Sequence, residues 1–395
     1  MALRILHIVD GEEGASSVPL LQLIREGQVG MHDVDQRVLL VGGAALRRRA
    51  AEAGLEGCTM RGAPGGRAWI SPTSFQRAVR DMGDVDLVHC WSVGAWSASA
   101  LMLRAMPRVL TVSAPVSRRV AHWLRVMGCP QRAAVLAVSS TIRGQLLGAG
   151  SDPASVHVLR PGLDLGRVEH GARAALRSQW EIDDATPVVA LLDDPPARTG
   201  ADGATMAASL ARAAAGAADG LRLVVHPDQP RLGPARHMMD RVGANGFHLV
   251  DRRIEAPWRV LPGCDVALIL GDGGGGLALL WAMAANVPIV AEATYAACEV
   301  IEDRHSALLA RPDHPPLLAE RIRRLLGDAQ LRWKLRDTAR HEAYSYFSRQ
   351  RYAASLKVVY EQVLAGNPIE VPQLEATGGL RFSGAGRGTG EWVNG

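Results

Sequence analysis

Between Gly271 and Gly276 the chain carries five glycines and one aspartate, Asp272. A loop so poor in side chains leaves its backbone N–H groups open to a ligand. The run before it, Val266 to Leu270, is unbroken and apolar, as in a strand buried on both faces. The run after it, Leu277 to Ala285, is rich in Leu, Ala and Met, and Asn286 can end it as a helix. Strand, glycine loop and helix start together make an anion site. Unpaired N–H groups and the positive end of the helix dipole both favour negative charge there. Gly274, Gly275, Gly276 and Leu277 are therefore candidate phosphate contacts. For Gly274 and Gly276 a tight turn that needs positive φ is the plain alternative. The Asp272 carboxylate can accept strong hydrogen bonds from hydroxyl groups, or simply complement the helix dipole.

A second loop follows the apolar run Val188 to Leu192. It reads Asp193-Asp194-Pro195-Pro196-Ala197-Arg198-Thr199-Gly200. Arg198 is its cation and can pair with an anion; a solvated loop arginine is the alternative. Near the N-terminus, Gly11 and Gly14 bracket the loop after the first strand, and His89 closes a later one. Both strand ends should face a common cleft. His89 is a candidate contact there, or an ordinary strand-end histidine. No Ser-His-Asp order, metal-spaced His/Cys cluster or nucleic-acid motif stands out.

The order of residues around the glycine loop resembles the donor-binding segment of the group 1, family-4-like, retaining glycosyltransferases. These have the GT-B architecture of two Rossmann-like domains. Their segment typically reads E-G-F-G-L-x-x-L-E-A-M-A-x-G-x-P-V-V-A. Here Gly274, Gly276, Leu277, Leu280, Ala282, Met283, Ala284, Pro288, Val290 and Ala291 match in register. Gly273 and Trp281 stand where the family has glutamates. Trp281 accepts no hydrogen bond, so it is expected to fill core rather than hold a ribose. The family's G-R-L-x-x-x-K-G turn is matched at Gly200, with Asp194 and Thr199 at its Arg and Lys positions. Glu299 falls on the glutamate of the family's G-G-x-x-E turn, although Tyr295 and Ala296 replace the glycines. A surface glutamate at a helix start is the alternative for Glu299.

The resemblance implies a UDP-, GDP- or ADP-sugar donor and no metal cofactor. It places the diphosphate at Arg198, Gly200 and Gly274–Leu277, with Asp272 and Glu299 near the sugar as catalytic candidates. Gly11, Gly14 and His89 would face them across the cleft. It covers residues 1–364, with sharp motifs only in the C-terminal half.

The elements needed to position these loops are legible. Apolar strand patterns alternate with helical ones from Arg4 to Leu159, and again from Val188 onward. That alternation gives parallel sheets covered on both faces. The expected fold is α/β, with two Rossmann-like doubly wound domains facing across a cleft. The resemblance implies that residues 1–165 form the acceptor-side domain, 180–345 the nucleotide-sugar domain, and 346–365 a helix crossing back to the first domain. Residues 366–395 are expected to be a disordered tail. Motion is expected about Pro161–Trp180 and Ser345–Tyr352.

The chain has 395 residues, enough for two ordinary cores. Its five cysteines are widely spaced, which argues against a disulfide framework and fits a reducing cytoplasm. Ile5 to Val9 is too short for a signal-peptide core, and no apolar run can span a bilayer. From Leu87 to Gly150 there is no Asp or Glu, but there are seven arginines with Trp91, Trp96 and Trp123 among them. This basic stretch resembles the membrane-facing domain of family members that act on lipid acceptors; a solvated face in an Arg-rich chain is the alternative. The expected activity is sugar transfer to a polysaccharide, lipid-linked or other cell-envelope acceptor, in the cytoplasm or peripherally on the inner face of the membrane. Loss of the family carboxylates supports a second possibility, an inactive relative that keeps the fold as a binding or assembly module.

Overall fold

The structure, a computed structural model, describes residues 3–371 except 11–16, 42–43, 53, 56–71, 104, 128–131, 195–199, 215–219, 228–231, 242–246 and 272–275. In the N-terminal half β1 (Leu3–Asp10), α1 (Ser17–Val29), β2 (Val34–Val41), α2 (Ala44–Glu52) and α3 (Pro72–Asp81) come first. Then follow β3 (Leu87–Cys90), α4 (Val93–Met102), β4 (Arg108–Val112), α5 (Arg118–Met127), β5 (Ala133–Ala137), α6 (Ser140–Gly148) and β6 (Val156–Val158). The six strands form one parallel sheet in the order β2-β1-β3-β4-β5-β6. Successive strand residues bury opposite ways: Ile5 and Val9 join one apolar layer, Leu6 and Ile8 the other. Two covered faces are why these strands read as unbroken apolar runs.

The second half opens with α7 (Arg173–Gln179), whose Arg173 and Arg177 pair with Asp265 at 2.9 and 3.0 Å. There follow β7 (Val188–Asp194), α8 (Gly200–Ala214), β8 (Arg222–Val225), α9 (Leu232–Arg241), β9 (His248–Val250), β10 (Val266–Gly271) and α10 (Leu277–Ala284). After them come β11 (Ile289–Glu292), α11 (Tyr295–Cys298), β12 (Leu308–Ala310), α12 (Pro315–Gly327), α13 (Ala329–Tyr346) and α14 (Arg349–Ala365). This sheet is also parallel, in the order β12-β11-β10-β7-β8-β9. Counted from β7, that is the order of the doubly wound dinucleotide-binding fold.

Local signals agree with these boundaries. Pro72 is the first residue of α3, where a missing N–H costs nothing. Asn286 takes φ +57 just past α10, a left-handed helix stop that Asn tolerates. Two elements were not expected. The four-residue α11 forms where the family turn carries glycines, with Thr294 as its N-cap. The three-residue β12 is too short to show a pattern.

The halves are joined by two crossing segments that hydrogen-bond to each other. Leu163 N–H donates to Phe347 O at 2.9 Å, and Arg349 N–H to Leu163 O at 3.0 Å. A Cβ on Gly162 would lie 2.4 Å from Ser348 O, so only glycine fits this approach. From there α14 returns across the N-terminal half and packs on α1, where a Cβ on Gly30 would meet that of Ala353 at 2.2 Å. The expected disorder from residue 366 does not hold for its first residues. Asn367 N–H donates to Gln362 O at 3.0 Å, and Val371 is buried. The remainder, 372–395, lies outside the described residues. No helix among the described residues is long and apolar enough to cross a membrane.

Candidate functional site

Open parallel sheets bind ligands beyond the carboxyl ends of their strands, where the strand order reverses. In the C-terminal half that point lies between β7 and β10, and its last paired residues are Asp194 and Gly271. The chain leaves β10 at Gly271, φ +91, and enters α10 through Gly276, φ +80, the residue before the helix. A Cβ on Gly276 would also meet Val300 Cγ2 at 3.1 Å. Both the backbone angle and the neighbour therefore call for glycine. Gly276 offers α10 no side-chain cap, so the N–H groups of its first turn, starting at Leu277, need acceptors from elsewhere. Gly200 opens α8 directly beyond β7, at the same switch point. Asp272, Gly274, Gly275 and Arg198 lie outside the described residues, as do Gly11 and Gly14.

Glu292 was not anticipated. It ends β11, is 2% exposed, and accepts from Gly271 N–H at 3.3 Å and Asp313 N–H at 3.1 Å. It thus ties the residue that opens the glycine loop to the next strand. The only sequence signal was an acidic residue closing an apolar strand. Trp281 is 1% exposed and packs against Trp258, ring centroids 4.6 Å apart. It fills core, as expected. Arg167, from the crossing segment, lies over the Trp258 ring at 4.2 Å.

Two candidates have other partners than those expected. His89 is fully buried and does not face a cleft. Its Nδ1 lies 2.6 Å from the Tyr360 hydroxyl of α14, and its Nε2 lies 2.8 Å from Thr111 Oγ1. Trp91 stacks on its ring and donates to Nδ1 of His7 at 3.0 Å. Burial lowers the pKa of both histidines, that of His7 to about 4. Both are neutral at neutral pH and serve as hydrogen-bonded core under α14. Glu299 follows α11, at the end of a helix rather than the start of one. Its carboxylate accepts from the backbone N–H groups of Ser140 and Thr141, at the start of α6 in the other half. In this arrangement both of its oxygens accept hydrogen bonds from protein groups. Tyr295, on the same turn, is 76% exposed.

A cavity of about 900 Å³ lies along the β6 edge. Arg143, His157, Gln362 and Glu370 line it, and it reaches Ser140 and Arg160. Among the described residues no group of three or more His, Cys, Asp or Glu could hold a metal ion.

Two family profiles divide the chain between them. That described as "Glycosyl transferases group 1" matches residues 184–342, and "Glycosyltransferase Family 4" matches residues 32–167. The chain is a GT-B protein related to the group 1 and family 4 glycosyltransferases. The first profile spans the glycine-opened helix and the β7–β10 switch point of this GT-B protein. Its fold is shared by a glycosyltransferase from Rickettsia africae, with TM-score 0.73 and 14% identity over 92% of this chain and 98% of that one. Anabaena HepE, in a structure with UDP and glucose, aligns with TM-score 0.72 and 16% identity over 90% and 98%. Sucrose-phosphate synthase from Thermosynechococcus elongatus aligns with TM-score 0.70 and 15% identity over 92% and 100%. No curated protein matches the sequence.

Proposed function

We propose that this GT-B protein is a retaining glycosyltransferase that moves a sugar from a nucleotide-sugar to a glycan or lipid-linked acceptor of the cell envelope. The observation that carries the reading is the reversal of strand order between β7 and β10, with the Gly276-opened helix α10 at that point. The group 1 profile over the same segment supports it. In this reading the donor diphosphate lies against residues 274–277 and is neutralised by Arg198 near Gly200. Asp272 faces the sugar, and Gly11 and Gly14 face the acceptor side. Oriented N–H groups and an arginine can stabilise a leaving diphosphate without a metal. UDP in the HepE structure supports a nucleotide donor.

The surface of α4 and α5 supports peripheral attachment at an anionic membrane on the cytoplasmic side. Leu101, Trp123 and Val126 are exposed there, beside the exposed arginines Arg118, Arg119 and Arg125. A buried Trp281 favours a second reading, a non-catalytic binding or assembly module, because no carboxylate remains at that helix position to hold a ribose. The test is incubation with UDP-, GDP- and ADP-sugars, following released nucleotide and bound nucleotide together. Steady release supports the enzyme. Binding without release supports the module. Neither, with any donor, overturns both.

A further inference from the structure

Glu299 belongs to the C-terminal half, but the partners of its side chain belong to the N-terminal half. Oε2 accepts from Ser140 N–H at 2.7 Å. Oε1 accepts from Thr141 N–H and from Thr141 Oγ1, each at 2.8 Å. Arg160 Nη1 lies 3.3 Å from Oε2 and donates to Glu299 O at 3.2 Å. The side chain is 9% exposed. A helix start attracts anions through its unpaired N–H groups and its dipole. In α6 the Ser139 side chain serves Ile142 N–H, and the Glu299 carboxylate serves Ser140 and Thr141. The cap of a helix in one half is completed by a residue of the other.

Glu299 is in turn tied to the donor side. Its N–H bonds back to Tyr295 O at 3.2 Å, and its neighbour Val300 packs against Gly276. One run of contacts thus leads from the start of α10, through Val300 and Glu299, to the start of α6. We propose that Glu299 is a positioning residue: it clasps the two halves together and sets the N-terminal sheet at a fixed distance from the start of α10. The kinetic part of this inference rests on the reading of the cleft as a transfer site; the clasp itself does not.

Three variants break the clasp from both sides. Glu299→Gln replaces one accepting oxygen by an NH₂ group that faces N–H donors. Arg160→Ala removes the paired cation. Ser140→Pro deletes one N–H at the first residue of α6, where proline suits the helix and the extended Ser139 before it. Small-angle scattering and, with any active donor, acceptor kinetics are measured on each full-length variant. All three are expected to show a larger radius of gyration than the wild type. Each should also lose about tenfold in acceptor kcat/KM, as for one charge-assisted hydrogen bond, with donor affinity changed less than about twofold. An unchanged radius of gyration in Glu299→Gln and Ser140→Pro overturns the clasp. Loss of donor binding in Glu299→Gln alone, with Ser140→Pro silent, overturns it in favour of direct sugar contact. If no donor turns over, scattering still decides, and the failure then falls on the enzyme reading.

Discussion

Trp281 occupies a helix position where group 1 relatives carry a glutamate, and the structure gives it a packing role against Trp258. Restoring the carboxylate would bury a charge among apolar groups rather than rebuild a ribose contact. Trp281→Ala is expected to lower unfolding stability by about 3–5 kcal/mol, and Trp281→Glu by no less, both read from urea denaturation. Tighter nucleotide binding in a fully stable Trp281→Glu protein would contradict this placement. His7 makes a separate prediction about pH. Burial pushes its pKa down to about 4, below the ordinary 6.5. A pKa lower in the folded than in the unfolded state stabilises above pH 6.5, and that stabilisation is lost as pH falls toward 4. A fall of this size is worth about 3 kcal/mol. His89 and His248 shift in the same direction, also through burial. The thermal midpoint should hold from pH 8 to 7 and drop between pH 6.5 and 4. His7→Gln, which keeps an acceptor for Trp91, should flatten that drop; an identical profile in the variant would refute the assignment.

Among the elements, the exposed side of α5 yields the third prediction. Trp123 is anchored by its Nε1–H to Ser97 Oγ at 2.9 Å, yet remains 46% exposed beside Val126 and Leu101. Three arginines near an anionic surface contribute about 1 kcal/mol each. Co-sedimentation with vesicles containing anionic lipid should be strong at low salt and fall at high salt, and Trp123→Ala should weaken it. Equal binding to neutral and anionic vesicles would exclude an electrostatic contribution. Arg108 is no part of this face: it is buried, beside the Trp96 ring.

The elements also show what sequence can and cannot carry. Periodicity located nearly every strand and helix, and Pro72 and Asn286 marked two ends, because these are local signals. His89 looked like a strand end open to a cleft. Its cover is Tyr360, 271 residues later, and no local pattern announces a helix that folds back over a strand. Glu299 was legible as important by its register, but its partners sit on the other half. Gly276 was legible in both type and place, since a positive φ at a helix start admits little else.

At the scale of the molecule, the contacts that hold the two parallel sheets together among the described residues include the crossing segments at Leu163 and Ser348, the return of α14, and the Glu299 contact with α6. The central claim is that the ligand of this arrangement is a nucleotide-sugar bound at the β7–β10 switch point. Hydrogen exchange by mass spectrometry tests it directly, with UDP-, GDP- and ADP-sugars each added in excess. One donor should slow exchange in peptides spanning 194–200 and 271–280, leaving β2, α2 and α3 unchanged. Protection confined to other regions, or none with any of the three donors, would contradict the account.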